Sequence, residues 1–388
     1  MKKHFTHQQR YIIVAALSLF LPFYMCAGVI LFLTMRLMWT GEIQNAYHRD
    51  PINRLLFFFC GLSMIVSLFY SNYVGIAVAF FLLVGGLFIM YYKAHITPQL
   101  FDFITNLIIV LSVFAALYGL IEYMGVLNNV NIDEFEIIIF NKPKDRINSV
   151  FFNANYYAMM IEFFVCLAFY KILKIKDIKK DFQSFFYYVL VIGINLFMLV
   201  LTACRTAWPA LAAGILVMLI VDKHYKTCAC IGMCVLFAAA FFLVNPSAFP
   251  RVENIISYFF TRTDIWYVAV QNIMKYPLFG QGPMTYMNIY PLYNGHPTQH
   301  AHSLYLDPLL CFGIVGLGVI APVFYKNFKQ LFSIWKNKKD KTLCALIACF
   351  ITAVLVHGTM DYTIFFVQTG LLFMFVLASF DMHKGLYN

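Results

Sequence analysis

Apolar runs of about twenty residues, the length a helix needs to cross the hydrocarbon core of a bilayer, recur along almost the whole chain. They lie near residues 55–70, 73–92, 103–125, 154–174, 185–203, 207–221, 228–244, 303–325, 342–358 and 364–380. With 62% hydrophobic and only 12% charged residues, the chain is far outside the range of a soluble globular domain. It reads as an all-α, polytopic integral membrane protein, one helical domain over residues 1–388. No internal repeat or low-complexity linker divides it. The first apolar stretch, Tyr11 to Leu33, is too long for a signal peptide and has no small-residue cleavage site before a polar mature domain.

Lysine and arginine cluster between the runs, so the net charge of +10 marks cytoplasmic loops rather than a nucleic-acid surface. Placing the lysine-rich segments 171–180 and 326–341 inside puts residues 35–54, 93–102 and 222–226 inside as well. The N-terminus, with Lys2, Lys3 and Arg10, is then also inside, so the stretch 11–34 must cross twice or re-enter, turning near Pro22. The count comes to about 12 membrane segments, with the tail from Asp381 cytoplasmic. Residues 245–301 form the one large external loop, capping the mouth of the bundle. Within it Phe259, Trp266, Val270 and Ile273 fall at helical spacing, and Tyr276-Pro-Leu-Phe-Gly-Gln-Gly282 should form a tight turn.

His302 opens the span that follows this loop. At 100° per residue, Leu306, Leu309, Gly313 and Gly316 fall within about 40° of its direction, so a single helix face should carry the histidine above packed glycines. A neutral imidazole at the wet end of a helix suits general-base work; a satisfied interfacial histidine fits the same position. His296 and His300 raise the alternative of a metal site, but no acidic third ligand is evident. Asp307 falls about 140° away around the helix and should not share the face.

Arg205 interrupts two apolar runs at an outer span end. It either snorkels to headgroups or clamps an anionic group such as phosphate. Arg146, Arg251 and Arg262 fall on the same side, where positive charge is normally sparse, and together the four suggest an anionic ligand. Glu162, two turns below Asn155, needs a partner at that depth: an arginine or a polar pocket. Asp361 ends its span on the outside, where it could orient an arginine or the histidine. The ten cysteines sit in or at the ends of apolar runs, which argues against a disulfide framework or a zinc site.

The pattern His302-Ser303, nine residues, Gly313-x-x-Gly316 resembles the signature of the O-antigen ligase and Wzy-type polysaccharide polymerase superfamily. So do Arg205-Thr-Ala-Trp208, Arg262-Thr-Asp-Ile-Trp266 followed by Pro277 and Gly280-Gln-Gly282, Asn153-Ala-Asn155, and His357 to Asp361. The likeness runs from about Arg146 to the last span; the N-terminal third shares only its hydrophobicity. The resemblance implies inverting, metal-independent and cofactor-free glycosyl transfer on the outer face of the bacterial cytoplasmic membrane. The donor would be a glycan on undecaprenyl diphosphate, its tail in a groove between spans, and the acceptor a glycan or a second lipid-linked repeat.

In that scheme Arg205 and Arg262 hold the diphosphate and His302 accepts or positions the acceptor proton. Arg146, Arg251, Asn155 and Asp361 complete the substrate contacts. A flippase and a chain-length regulator of the same pathway would be partners. The compact external loop and the Lys, Asn, Ile and Phe usage favour a polymerase; a ligase acting on a terminal acceptor such as lipid A core is the alternative. A lipid-linked glycan transporter is the alternative of another class, though the inverted repeats it would favour are not evident.

Overall fold

The computed structural model describes residues 5–127, 146–246 and 255–386, and among them it contains helices and no strand. In chain order these are α1 (His7–Ser18), α2 (Phe23–Trp39), α3 (Glu42–His48), α4 (Arg54–Phe69), α5 (Tyr73–His95), α6 (Pro98–Leu127), α7 (Ala154–Leu173), α8 (Phe182–Thr202), α9 (Ala207–Val221) and α10 (Tyr225–Val244). There follow α11 (Ile255–Lys275), α12 (Tyr286–Ile289), α13 (Leu306–Lys336), α14 (Lys341–His357) and α15 (Val367–Ala378). Helices keep every interior backbone group bonded within the segment, which lipid requires.

Among the described residues, seven helices are long and apolar enough to cross a membrane, or eight if α2 and α3, bent by 81°, form one broken span. The sequence suggests about 12. The difference falls largely on three apolar helices of 10–17 residues, Ala207–Val221, Lys341–His357 and Val367–His383. Their shortness has a physical reason. α9 starts late because Ala203 takes a left-handed φ of 49° and breaks the chain after α8. α14 stops at His357 and α15 starts at Val367 because the nine residues between them form a turn around Asp361 and a single helical turn over Thr363–Phe365. Both breaks lie beside the site described below.

α7 forms the centre. Its apolar window is 78% buried, against 0% for α10, which lies on the periphery. α7 packs on α8, α9 and α14, with Phe163 stacked on Phe350 at 4.4 Å. α1 and α2 meet at the turn ending on Pro22. Gln368 fixes that turn, its Nε2 donating to Leu19 O at 2.9 Å and Leu21 O at 2.7 Å.

The segments expected inside gather at one end of the bundle. There Lys171 pairs with Asp102 at 2.5 Å, Lys93 with Asp381 at 3.4 Å and Lys326 with Asp50. The opposite end carries His302, Asp361, Arg146 and Arg262.

The helix expected in the 245–301 segment is present as α11, which begins at Ile255. The turn after it locks onto α13. Gly313 has φ 60° and ψ −174°, so α13 is interrupted there. The amides beyond the break find partners in the turn: Ile314 N–H donates to Pro277 O at 3.0 Å and Val315 N–H to Leu278 O at 2.9 Å. In return Gly282 N–H donates to Cys311 O at 2.8 Å. A Cβ on Gly313 would lie 2.4 Å from Leu278 O, so both the backbone angle and the close approach exclude a side chain.

Candidate active site

The expected helical face through His302 does not form. His302 has a left-handed φ of 47° and precedes the helix, which starts at Leu306. Ser303 ends the turn by accepting from Tyr305 N–H at 3.3 Å and Leu306 N–H at 3.4 Å through Oγ. The angular projection therefore fails, and Gly313 serves the α11–α13 lock rather than a face beneath the imidazole. Asp307 does not touch His302; it accepts from Ala301 N–H at 2.6 Å and holds the loop that carries the histidine.

His302 instead reaches across to the turn after α14. Its Nδ1 lies 2.7 Å from Asp361 Oδ1. Burial opposes the charge on Asp361, but the hydrogen bond from His302 and the Arg262 guanidinium outweigh it and hold the carboxyl well below the usual range. An ionised carboxylate can only accept, so Nδ1 carries a hydrogen, and in the neutral ring the lone pair then sits on Nε2. Thr298 Oγ1 sits 2.9 Å from that Nε2. His300 lies beside the pair, ring centroids 4.3 Å apart. Burial, with His302 and Arg262 adding to it, pushes its imidazole down to about 3, leaving it neutral.

The other carboxylate oxygen of Asp361 gathers two more groups. Asn155 Nδ2 donates to it at 2.6 Å and Arg262 Nη2 stands 3.9 Å away. Asn155 Oδ1 accepts from Arg146 Nη2 at 2.6 Å, and Arg146 Nε donates to Thr202 O, also at 2.6 Å. The asparagine is thus a bridge between a guanidinium and the His–Asp pair, placed at the start of α7 by Asn153, whose Oδ1 accepts its N–H at 2.8 Å. Arg205 lies over the ring of Tyr258 at 5.1 Å, a cation–π contact. Tyr258 precedes Arg262 by one helical turn, so α11 presents both toward the same centre.

Arg146, Arg205, Arg262, His302, Asn155 and Asp361 therefore converge, while Arg251 lies outside the described residues. Glu162 is neither an arginine partner nor part of this network. It pairs with His357 at 2.5 Å, both fully buried, and His357 Nε2 lies 3.4 Å from Thr206 Oγ1 beneath the Arg205 turn. Sequence reasoning missed Thr298, which carries no motif, and Glu122. Glu122 accepts from Asn148 N–H at 3.0 Å and Ser149 N–H at 2.7 Å, and so fixes the segment leading from Arg146 to Asn155.

The acidic group missing from the histidine cluster in sequence is supplied by Asp361. His300, His302 and Asp361 bring ligand-type atoms within 4.8 Å of one another, and His296 is not among them. Arg262 already places positive charge beside the same carboxylate.

Fold and site together define a polytopic helical membrane protein with an enzyme-like centre, a His–Asp pair ringed by guanidinium groups at one end of the bundle. Residues 188–321 match the family model described as O-antigen ligase. Over that segment, about a third of the chain, the protein is similar to the O-antigen ligase family. The matched segment contains Arg205, Arg262 and His302; Arg146, Asn155 and Asp361 lie outside it and join the site through the fold. No curated protein matches the chain.

Proposed function

We propose that this protein is a membrane glycosyltransferase of bacterial surface-polysaccharide synthesis. It joins undecaprenyl-diphosphate-linked oligosaccharide repeats by inverting transfer at the outer face of the cytoplasmic membrane. One observation carries the reading: an alcohol, Thr298 Oγ1, already sits 2.9 Å from the lone-pair nitrogen of a histidine whose other nitrogen is held by Asp361. A sugar hydroxyl replacing that alcohol is within reach for proton transfer.

In the reaction the acceptor oxygen attacks the anomeric carbon as the bond from that carbon to the diphosphate breaks. The acceptor proton passes to His302 Nε2, and the imidazolium that forms is stabilised by Asp361. Undecaprenyl diphosphate leaves with the bonding pair. Arg205 and Arg262 neutralise its growing charge, a role suited to fixed, forked donors in a partly dry site. Arg146, tied through Asn155 to Asp361, couples anion binding to placement of the base. Both termini are cytoplasmic in this scheme, the span count is about 12, and the 245–301 segment covers the mouth from outside. A flippase and a chain-length regulator supply and limit the substrate.

Transfer from a synthetic undecaprenyl-diphosphate glycan by purified protein in nanodiscs tests the class. Turnover surviving in His302→Ala and Arg205→Ala would sink this mechanism, and flux of intact lipid-linked glycan without transfer would favour a transporter. The ligase reading draws support from the matching family model. Sizing the surface glycan after gene deletion separates the two: single repeats on the acceptor indicate a polymerase, long unattached lipid-linked chains a ligase.

A further inference from the structure

Beside the cationic centre lies an aromatic surface that the transfer chemistry leaves unused. Tyr156, directly after Asn155, stacks on Phe366 at 4.1 Å and 10°. Phe152 continues the set, 6.0 Å from Phe366 at 31° and 6.5 Å from Tyr156 at 26°. Phe23 meets Phe152 at 5.2 Å and 75°, and Phe366 at 5.4 Å and 46°. These four rings come from three distant parts of the chain. All are partly exposed, unlike the buried Phe163–Phe350 stack in the core.

The surface is built and anchored. Gln368, two residues after Phe366, fixes the turn that delivers Phe23. It is also continuous with the site, because Asn155 binds Asp361 and the Tyr156 hydroxyl lies in the field of the Asp361 carboxylate. Tyr24, 50% exposed, and the exposed Asn153 border it. The Asn153 oxygen is engaged by Asn155, which leaves its NH2 group as a donor.

A pyranose ring presents weakly positive C–H bonds on one face and hydroxyls around its rim. Aromatic faces carry the complementary negative potential, and a bordering amide and phenol match the rim. Guanidinium groups hold an anion but offer little area to an uncharged sugar. We propose that Phe152, Tyr156 and Phe366, edged by Phe23, form the subsite for a pyranose of the acceptor glycan. The assignment to the acceptor rests on the transfer reading above, in which Asp361, whose field reaches Tyr156, holds the acceptor-activating His302. The competing account is an interfacial aromatic belt seated among lipid headgroups.

Saturation-transfer NMR on full-length protein in nanodiscs, with soluble oligosaccharide released by mild acid from the host's surface polysaccharide, reads sugar binding without turnover. Wild type should bind, Phe366→Leu and Tyr156→Leu should bind about ten-fold more weakly, the scale of losing one ring-on-aromatic stack, and Phe366→Trp should restore binding. In the transfer assay the leucine variants should raise KM for acceptor while leaving KM for the lipid-diphosphate donor unchanged. A belt predicts that Leu, equally at home in lipid, changes neither. Unchanged binding in both leucine variants, or no binding by wild type, overturns the subsite. Failure of the transfer reading is distinguishable: His302→Ala would then keep turnover, whatever the sugar binding shows.

Discussion

The two ends of the helical bundle are both polar, and they treat charge in opposite ways. At the end carrying the lysine-rich loops, cations meet carboxylates from distant parts of the chain: Lys171 with Asp102, Lys93 with Asp381, Lys326 with Asp50. At the other, His302, Asn155 and Arg262 converge on the single carboxylate of Asp361, with Arg146 linked behind Asn155. Paired charges cancel and serve as latches between helices. A set of guanidinium groups gathered around one carboxylate at a partly open surface suits an anionic ligand better than it serves the fold.

The largest expected effects follow from removing the point of convergence. Asp361→Ala and His302→Ala should each lower transfer by about 10³-fold or more, with helical content and detergent stability near wild type. Arg262→Ala should cost about 10²–10³-fold, the scale of losing one fixed donor to developing charge. Asn155→Ala should cost less and raise KM for donor, because Arg146 keeps its bond to Thr202 O. Transfer rates and KM values in nanodiscs check all four. Wild-type rates in Asp361→Ala would show that convergence on this carboxylate has no catalytic meaning.

Gly313→Ala probes how the converging end is assembled. The left-handed backbone and the 2.4 Å approach to Leu278 O should destabilise the α11–α13 lock by about 1–3 kcal/mol. The effect should appear as faster hydrogen exchange in residues 277–282 and a several-fold loss of transfer as Arg262 loses its fixed position. Undisturbed exchange there would detach the turn from the site.

How much of this was legible in sequence depended on range. The helices were visible because apolar length is a local property, and the turn through Gly282 because proline and glycine punctuate locally. His302, Arg205 and Arg262 stood out as polar residues at span ends, and Asp361 as a carboxylate able to orient the histidine. Their pairing was not visible. The helical projection from His302 assumed a right-handed backbone that a φ of 47° breaks, and nothing in 100° arithmetic signals that. Glu162 was expected to need a partner, yet His357 lies 195 residues away, a distance only the packing of α7 on α14 closes. Glu122 escaped notice because it serves backbone amides, which leave no motif.

Acid should weaken the converging end through His300. Its imidazole is held down to about 3 by burial, His302 and Arg262, against an ordinary value of about 6.5. Between those values the unfolded chain binds a proton that the native state excludes, so stability is fully present above the ordinary value and falls as pH drops. The slope is up to about 1.4 kcal/mol per pH unit. Asp361, depressed, loses its contribution only below the usual carboxylate range and stays out of this window. Melting from pH 7 to 5 should therefore fall more steeply in wild type than in His300→Gln, which keeps a side-chain acceptor near the His302 N–H. Parallel curves would remove His300 from the account.

The smallest effect belongs to the latch end, and it can break the contrast most directly. Lys326 is 36% exposed and Asp50 27%, so solvent screens the pair and Lys326→Met should change stability by no more than about 1 kcal/mol. Lys93→Met should cost more, because the Asp381 carboxylate it contacts is only 2% exposed and solvent screens that contact less. Neither substitution touches the converging network, so kcat and both KM values should stay within about two-fold of wild type, well under 1 kcal/mol of transition-state energy. Melting curves and initial rates measured on the same nanodisc preparations read the two quantities separately. A ten-fold fall in transfer from either lysine, without a matching loss of folded protein, would mean that charge at one end sets geometry at the other, and the latches would then be part of the catalytic apparatus.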